Sequence, residues 1–147
     1  MNYSLPMFER CLYFNSNALA RRVNREWEAA YGELDLSPAH AYLLRLILAQ
    51  PGLTQKQIGE ALGLEKSTIT RFVATLEKRG LLRRTQGGDD DGRVIQVMPT
   101  AKARRLQARL EQIGEQLYQR MRQILGREHM DSFVGELRET HRALDRE

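Results

Sequence analysis

Apolar residues recur at steps of three and four along most of the chain, the spacing of amphipathic helices. Over 5–31, Leu5, Phe8, Leu12, Leu19, Val23 and Trp27 fall on one stripe, which Gly32 ends. Ser37-Pro38 has the form of an N-cap followed by the first helical position. A second helix is therefore predicted from there to about Gln50, with Leu36, His40, Leu43, Leu44, Ile47 and Leu48 on its inner face. Pro51-Gly52 is a turn, and Thr54-Gln55-Lys56-Gln57 has the pattern of a capping box. It opens a short helix that carries Ile58 and Leu62 and closes at Gly63. Another helix is predicted over Lys66–Arg79, stopped by Gly80. Two short helices joined by a glycine-containing turn make a helix-turn-helix candidate.

The period then changes. Residues 81–85 and 93–97 read as two short strands, separated by the Gly/Asp-rich segment 86–92. Pro99 is expected to stop the second strand, and Thr100 to cap a long helix reaching about Leu125. A last helix, about 128–145, places Met130, Phe133, Val134, Leu137, His141 and Leu144 on one face. The expected fold class is mainly α with a small β-wing: a winged helix-turn-helix over about 37–99, flanked by helices at 5–31 and 100–145, in one domain spanning 1–147. The stripe Leu106, Leu110, Ile113, Leu117, Met121 and Ile124 exceeds what a small central module covers. An intrachain bundle is one solution. A second copy of the chain is the expected one, making the outer helices dimerisation helices of a two-fold homodimer.

Composition narrows the class. Of 147 residues, 41% are hydrophobic, enough for a sizeable core, and 23 Lys+Arg against 19 Asp+Glu give a formal charge of +4. The placement of that charge is more informative than its total. Between Lys66 and Arg84 stand Lys66, Arg71, Lys78, Arg79, Arg83 and Arg84, with Glu77 the one acid. On the 66–79 helix, Ile69, Phe72, Val73 and Leu76 define a buried face at about 100° per residue. The opposite face carries Ser67, Arg71, Ala74 and Lys78, flanked by Thr68, Thr70 and Thr75. An ordinary solvated face mixes Glu with Lys. This one is short-chained, hydroxyl-rich and cationic, fits a major groove, and has in Arg71 a side chain long enough to read guanine. The preceding helix begins at Thr54-Gln55, where its first N–H groups favour a phosphate. Asp91 and Arg93 lie two apart, so in an extended strand they share a face and the carboxylate grips the guanidinium. An arginine held in that way on a wing suits a narrow minor groove.

These segments, LTQKQIGEALGLEKSTITRFVATLEKRGLLRR followed by DDDGRVIQVMPTAKA, resemble the DNA-binding module and Asp-x-Arg wing signature of the MarR (multiple antibiotic resistance regulator) family. The resemblance runs from about residue 8 to 145. It implies that 66–79 is the recognition helix, that Arg93 enters the minor groove with Asp91 as its partner, and that the first and last two helices form the dimer. Family members usually close the signature with Leu-Thr-x-x-Gly. Here it is Met98-Pro99-Thr100-Ala101-Lys102-Ala103, which alters the joint between strand and helix.

The resemblance further implies a repressor released from an inverted-repeat operator in double-stranded DNA by a small, often aromatic, effector. Tyr13, Asn17, Arg21, His40 and Arg45 are the candidate liners of the effector cleft. His40 sits in an apolar stripe and is read by preference as a hydrogen-bonded core histidine. One branch of the family senses organic hydroperoxides through a cysteine near the start of its first helix, where Cys11 stands. That branch's Cys-Phe-x-x-Tyr pattern is not met by Cys11-Leu12-Tyr13-Phe14-Asn15, and Ser37 replaces its second tyrosine, so an inert thiol is preferred to a redox site. A constitutive or architectural DNA binder without effector is the remaining alternative.

Other classes find little support. There is no His-Glu-x-x-His, no phosphate-binding glycine loop, and only three His with one Cys, so neither an enzyme nor a metal or other cofactor is expected. Asp89-Asp90-Asp91-Gly92 fails as a calcium loop because Met98 falls where the bidentate Glu belongs. The N-terminal stretch lacks the pattern of a signal peptide, and no run approaches the ~20 apolar residues of a membrane span. A cytoplasmic protein without a membrane partner is expected.

Overall fold

The computed structural model describes residues 5–87 and 94–147. Its chain divides into two compact units, Met1–Leu110 and Glu111–Glu147. The first contains α1 (Pro6–Glu9), α2 (Leu12–Tyr31), a 3-10 turn (Gly32–Leu34), α3 (Pro38–Ala49), β1 (Leu53–Thr54), α4 (Gln55–Leu62), α5 (Lys66–Lys78), β2 (Leu82–Gln86) and β3 (Ile95–Pro99). The helix α6 (Ala101–Leu125) crosses the boundary, and α7 (Arg127–Asp145) completes the second unit.

Local chemistry explains most of the element ends. Ser37 caps α3 by accepting from the His40 amide, with Pro38 at the first helical position. Both halves of the Thr54/Gln57 capping box form on α4. At its other end Gly63 adopts a left-handed conformation, φ 66°, and donates to the Gly59 carbonyl. The Leu64 amide donates to that same oxygen, closing the tight turn into α5. A Cβ on Gly59 would stand 3.0 Å from the Leu64 carbonyl oxygen, a tight contact that the turn admits only by giving way a few tenths of an ångström. Thr100 accepts from the Ala103 amide and thereby caps α6.

The predicted helix over 5–31 is interrupted at Arg10-Cys11. Cys11 has extended backbone and caps α2, its Sγ accepting from the Phe14 amide at 3.4 Å. The Asn15 side-chain amide lies 2.7, 3.2 and 2.8 Å from the Phe8, Glu9 and Cys11 carbonyls, holding the joint that the hydrophobic stripe runs straight through. At the other end Gly32 does not reverse the chain. It continues into the 3-10 turn, and Asp35 takes the left-handed conformation at φ 55°.

The sheet has the order β1-β3-β2, all antiparallel. Its hairpin is displaced by one or two residues from the predicted strands, and Pro99 is the last residue of β3, opposite Leu82, instead of lying beyond it. The two-residue β1 was not expected. It pairs Leu53 with Val97 and Thr54 with Gln96, and the same register would set Pro51 against Pro99. Beyond Gln86 the Gly87 amide donates to the Val94 carbonyl.

The core of the first unit joins Leu43, Leu44 and Ile47 of α3 to Ile58 of α4, Ile69, Val73 and Leu76 of α5, and Leu81, Leu82 and Val97 at the sheet. Each such aliphatic side chain contributes about 1.5–3 kcal/mol on burial. Phe72 is only half-buried and meets the His40 ring edge-on, centroids 4.6 Å apart. Burial, and then the Arg79 charge, lower the pKa of His40. On α6, Leu110, Ile113 and Leu117 are buried within the single chain while Ile124 is exposed, so that stripe is less open than the sequence suggested. On α7, Val134, Leu137 and Leu144 are exposed.

Three outcomes follow from this packing. Gly59→Ala gains up to about 1 kcal/mol of helix propensity but crowds the Leu64 carbonyl, for a net loss of up to about 2 kcal/mol and a lower melting point. Gly135→Ala meets nothing within 4 Å and raises stability by about 0.5–1 kcal/mol. Thermal melts of the two variants beside the parent check the opposite signs. For His40 the folded-state pKa lies below that of the unfolded chain. Its contribution is therefore complete above the ordinary histidine value of about 6.5 and is lost as pH falls through the folded value. The drop in melting temperature between neutral and mildly acidic buffer is expected to be smaller in His40→Gln than in the parent.

Candidate nucleic-acid interface

The apolar edge Ile69-Val73-Leu76 turns the other side of α5 outward. Ser67, Thr70, Arg71, Thr75 and Lys78 are exposed there and Thr68 is half-buried. The predicted residues of the two helices are brought together: the Thr70 hydroxyl lies 3.0 Å from Gln55 Oε1 and 2.9 Å from the Lys66 carbonyl. Gln55, the first residue of α4, is thus tied to the first turns of α5. Thr75 donates back to the Arg71 carbonyl at 2.9 Å. Thr54 is committed to the α4 cap. Among the described residues, Lys66, Ser67, Arg71 and Lys78 have no side-chain partner. Their donors are available to an outside acceptor, and the face carries three cations and no acid.

Two of the six clustered cations serve other ends. The Arg79 guanidinium donates to the Asp35 carbonyl at 2.5 Å and to that of Leu34 at 3.3 Å. Arg84 pairs with Glu77 at 3.4 Å. Asp91 and Arg93 lie outside the described residues.

The candidate effector residues do not gather around one point. Tyr13 and Arg21 are exposed, as is Asn17, whose amide donates to the Tyr13 carbonyl one turn back. His40 and Arg45 are five apart on α3, hence about 140° apart around its axis. His40 meets Phe72, whereas Arg45 donates to the Tyr31 hydroxyl at 3.2 Å and stands 5.0 Å from the centre of the Tyr42 ring. Trp27 donates to the Tyr42 hydroxyl at 3.1 Å. Tyr31 is fully buried, and desolvation raises its pKa, assisted by Tyr42 and opposed by Arg45. Sequence reasoning singled out neither tyrosine nor Trp27 for this cluster; the three-residue spacing of Tyr42 and Arg45 was the one local signal. Glu33 and Arg109 were missed as well. They form a forked ion pair, and the hydrogen bond from Arg109 lowers the Glu33 pKa. Among the described residues there is no cluster of His, Cys, Asp and Glu able to hold a metal, and no helix is long and apolar enough to cross a membrane.

Residues 34–93 match the family model described as the MarR family. The transcriptional regulator HosA of Escherichia coli O157:H7 is 30% identical over 100 residues, 68% of this chain and 73% of that protein. The solved structure of the transcriptional repressor CouR bound to a 23-mer DNA duplex is similar with a TM-score of 0.86 at 25% identity, over 96% of this chain and 99% of that one. CouR has also been solved with p-coumaroyl-CoA. The PcaV regulator of Streptomyces coelicolor, in complex with its natural ligand, gives a TM-score of 0.82 at 26% identity, over 98% and 99% of the two chains. With a winged helix-turn-helix that keeps this element order, the chain belongs to the MarR family of transcriptional regulators.

Proposed function

We propose that the protein is a dimeric repressor that binds an inverted-repeat operator through α5 and releases it when a small effector binds. The observation that carries the DNA reading is the outward face of α5, where Ser67, Arg71 and Lys78 have no partner among the described residues and which itself carries no acid. Arg71 reads a base edge, and Lys66 and Lys78 neutralise phosphates. Thr54, Gln55, Thr68, Thr70 and Thr75 line the approach. Arg93, oriented by Asp91, is assigned to the minor groove from the sequence. CouR, similar over nearly its whole length, is a repressor solved on DNA and with an aromatic acyl-CoA. That supports repression and an aromatic effector. The exposed apolar residues Phe8, Leu12, Phe14 and Leu19 near the N-terminus, and Val134, Leu137 and Leu144 on α7, support a dimer built from the terminal helices. Cys11 is read as a structural cap, since its sulfur accepts the Phe14 amide.

With a duplex selected by the parent protein from a random pool, Arg71→Ala is expected to weaken binding by about 1–3 kcal/mol and to relax preference at one position per half-site. Arg93→Ala falls in the same range, and Asp91→Ala costs less because the charge remains. Titrations of circular-dichroism-checked variants test this; parent-like affinity of Arg71→Ala refutes the assignment of α5. Light scattering of the parent should give twice the chain mass of 17.0 kDa, and Leu137→Glu should move it towards the monomer. A monomeric parent removes the paired half-site model.

A further inference from the structure

Burial of Ile69, Val73 and Leu76 holds α5 against the core, but hydrophobic contact is non-directional and does not by itself fix the angle of a helix. Directional bonds do so, and at the C-terminal end of α5 they converge on Arg79. Its guanidinium spans the Leu34 and Asp35 carbonyls. Its own carbonyl accepts from Lys102 Nζ at 2.8 Å, and the next carbonyl, of Gly80, accepts from the Thr100 hydroxyl at 2.6 Å. The end of α5 is thus bonded on one side to the 3-10 turn before α3 and on the other to the first turn of α6. Asp35, one of the acceptors, is the one described non-glycine residue with positive φ, so the carbonyl that Arg79 grips sits at a backbone conformation that needs outside support.

We infer that Arg79 is a positioning residue for DNA recognition: by forking onto the Leu34 and Asp35 carbonyls it sets the angle at which α5 presents Ser67, Arg71 and Lys78, and it does not itself contact phosphate. The inference rests on the DNA-binding reading above. A planar guanidinium with five donors suits two successive carbonyls, and the compact ammonium of lysine reproduces the charge without the fork. A positioning role and a phosphate role leave different marks. Losing a phosphate contact lowers affinity for every sequence and reduces the salt dependence of binding by about one unit of slope. Losing the angle of the helix reduces discrimination between sequences and leaves the slope alone.

The experiment compares the full-length parent, Arg79→Gln, Arg79→Lys and Lys78→Gln. Each is titrated at several salt concentrations with the duplex selected by the parent and with a scrambled duplex of equal length. For Arg79→Gln we expect the ratio of selected to scrambled affinity to fall at least tenfold with the parent's slope on the scrambled duplex retained. Arg79→Lys should lose at least threefold of the ratio, again at the parent's slope. Lys78→Gln should show the reverse, a slope reduced by about one and an unchanged ratio. A slope reduced in Arg79→Gln as in Lys78→Gln overturns the inference, and so does an unchanged ratio. If Arg79→Gln does not fold, the lysine variant decides alone: a full parental ratio in it overturns the inference, and a reduced ratio at parental slope supports it. A parent that does not separate the two duplexes refutes the DNA-binding reading itself.

Discussion

The narrow apolar edge of α5 sets the conditions for everything around it. Ile69, Val73 and Leu76 are spaced by four and three, so they occupy one side of the helix and are fully buried against residues from α3, α4 and the sheet. Three fully buried side chains, with the half-buried Phe72 against His40, hold a helix of 13 residues, which leaves its outward side without a packing obligation. Hydroxyls and cations occupy that freed surface. Gly59 is part of the same constraint, because a Cβ there would crowd the Leu64 carbonyl in the turn between α4 and α5.

A second centre lies at the junction of α2 and α3. Over Tyr31–Leu36 nearly every residue is engaged by a distant element: the Tyr31 hydroxyl by Arg45, Glu33 by Arg109, the Leu34 and Asp35 carbonyls by Arg79, and Leu36 by burial. Helices α3, α5 and α6 therefore report to one short turn. Its composition, Gly-Glu-Leu-Asp-Leu, gives no hint of this.

What was legible in the sequence was local. The caps at Ser37, Thr54 and Thr100 and the left-handed Gly63 are encoded within four residues of where they act, and the reading of α3, α4 and α5 follows from them. The outward face of α5 was legible for the same reason, as a consequence of its period. Partners far apart in the chain were not. Arg79 and Asp35 are 44 residues apart, so a count of basic residues could not tell a cation committed to the fold from one offered to solvent. The break at Arg10-Cys11 escaped because it depends on the Asn15 amide reaching back to three carbonyls, with no proline or glycine to mark it. β1 escaped because two residues have no period. The cleft residues were grouped by resemblance, and α3 separates His40 from Arg45 simply by its twist.

The register of the sheet carries a consequence for how such a protein survives at high local concentration. β1 is one of its two outer strands, and a bare strand edge invites pairing with another molecule. Here the edge ends after two residues, and continuing the ladder would place Pro51 opposite Pro99, two residues with no N–H to give. The other outer strand, β2, exposes Arg83, and Arg84 paired with Glu77, and charged side chains on an edge strand disfavour pairing with a second copy. Among the described strands, the short β1 therefore presents little unpaired edge on which a second molecule could extend the sheet.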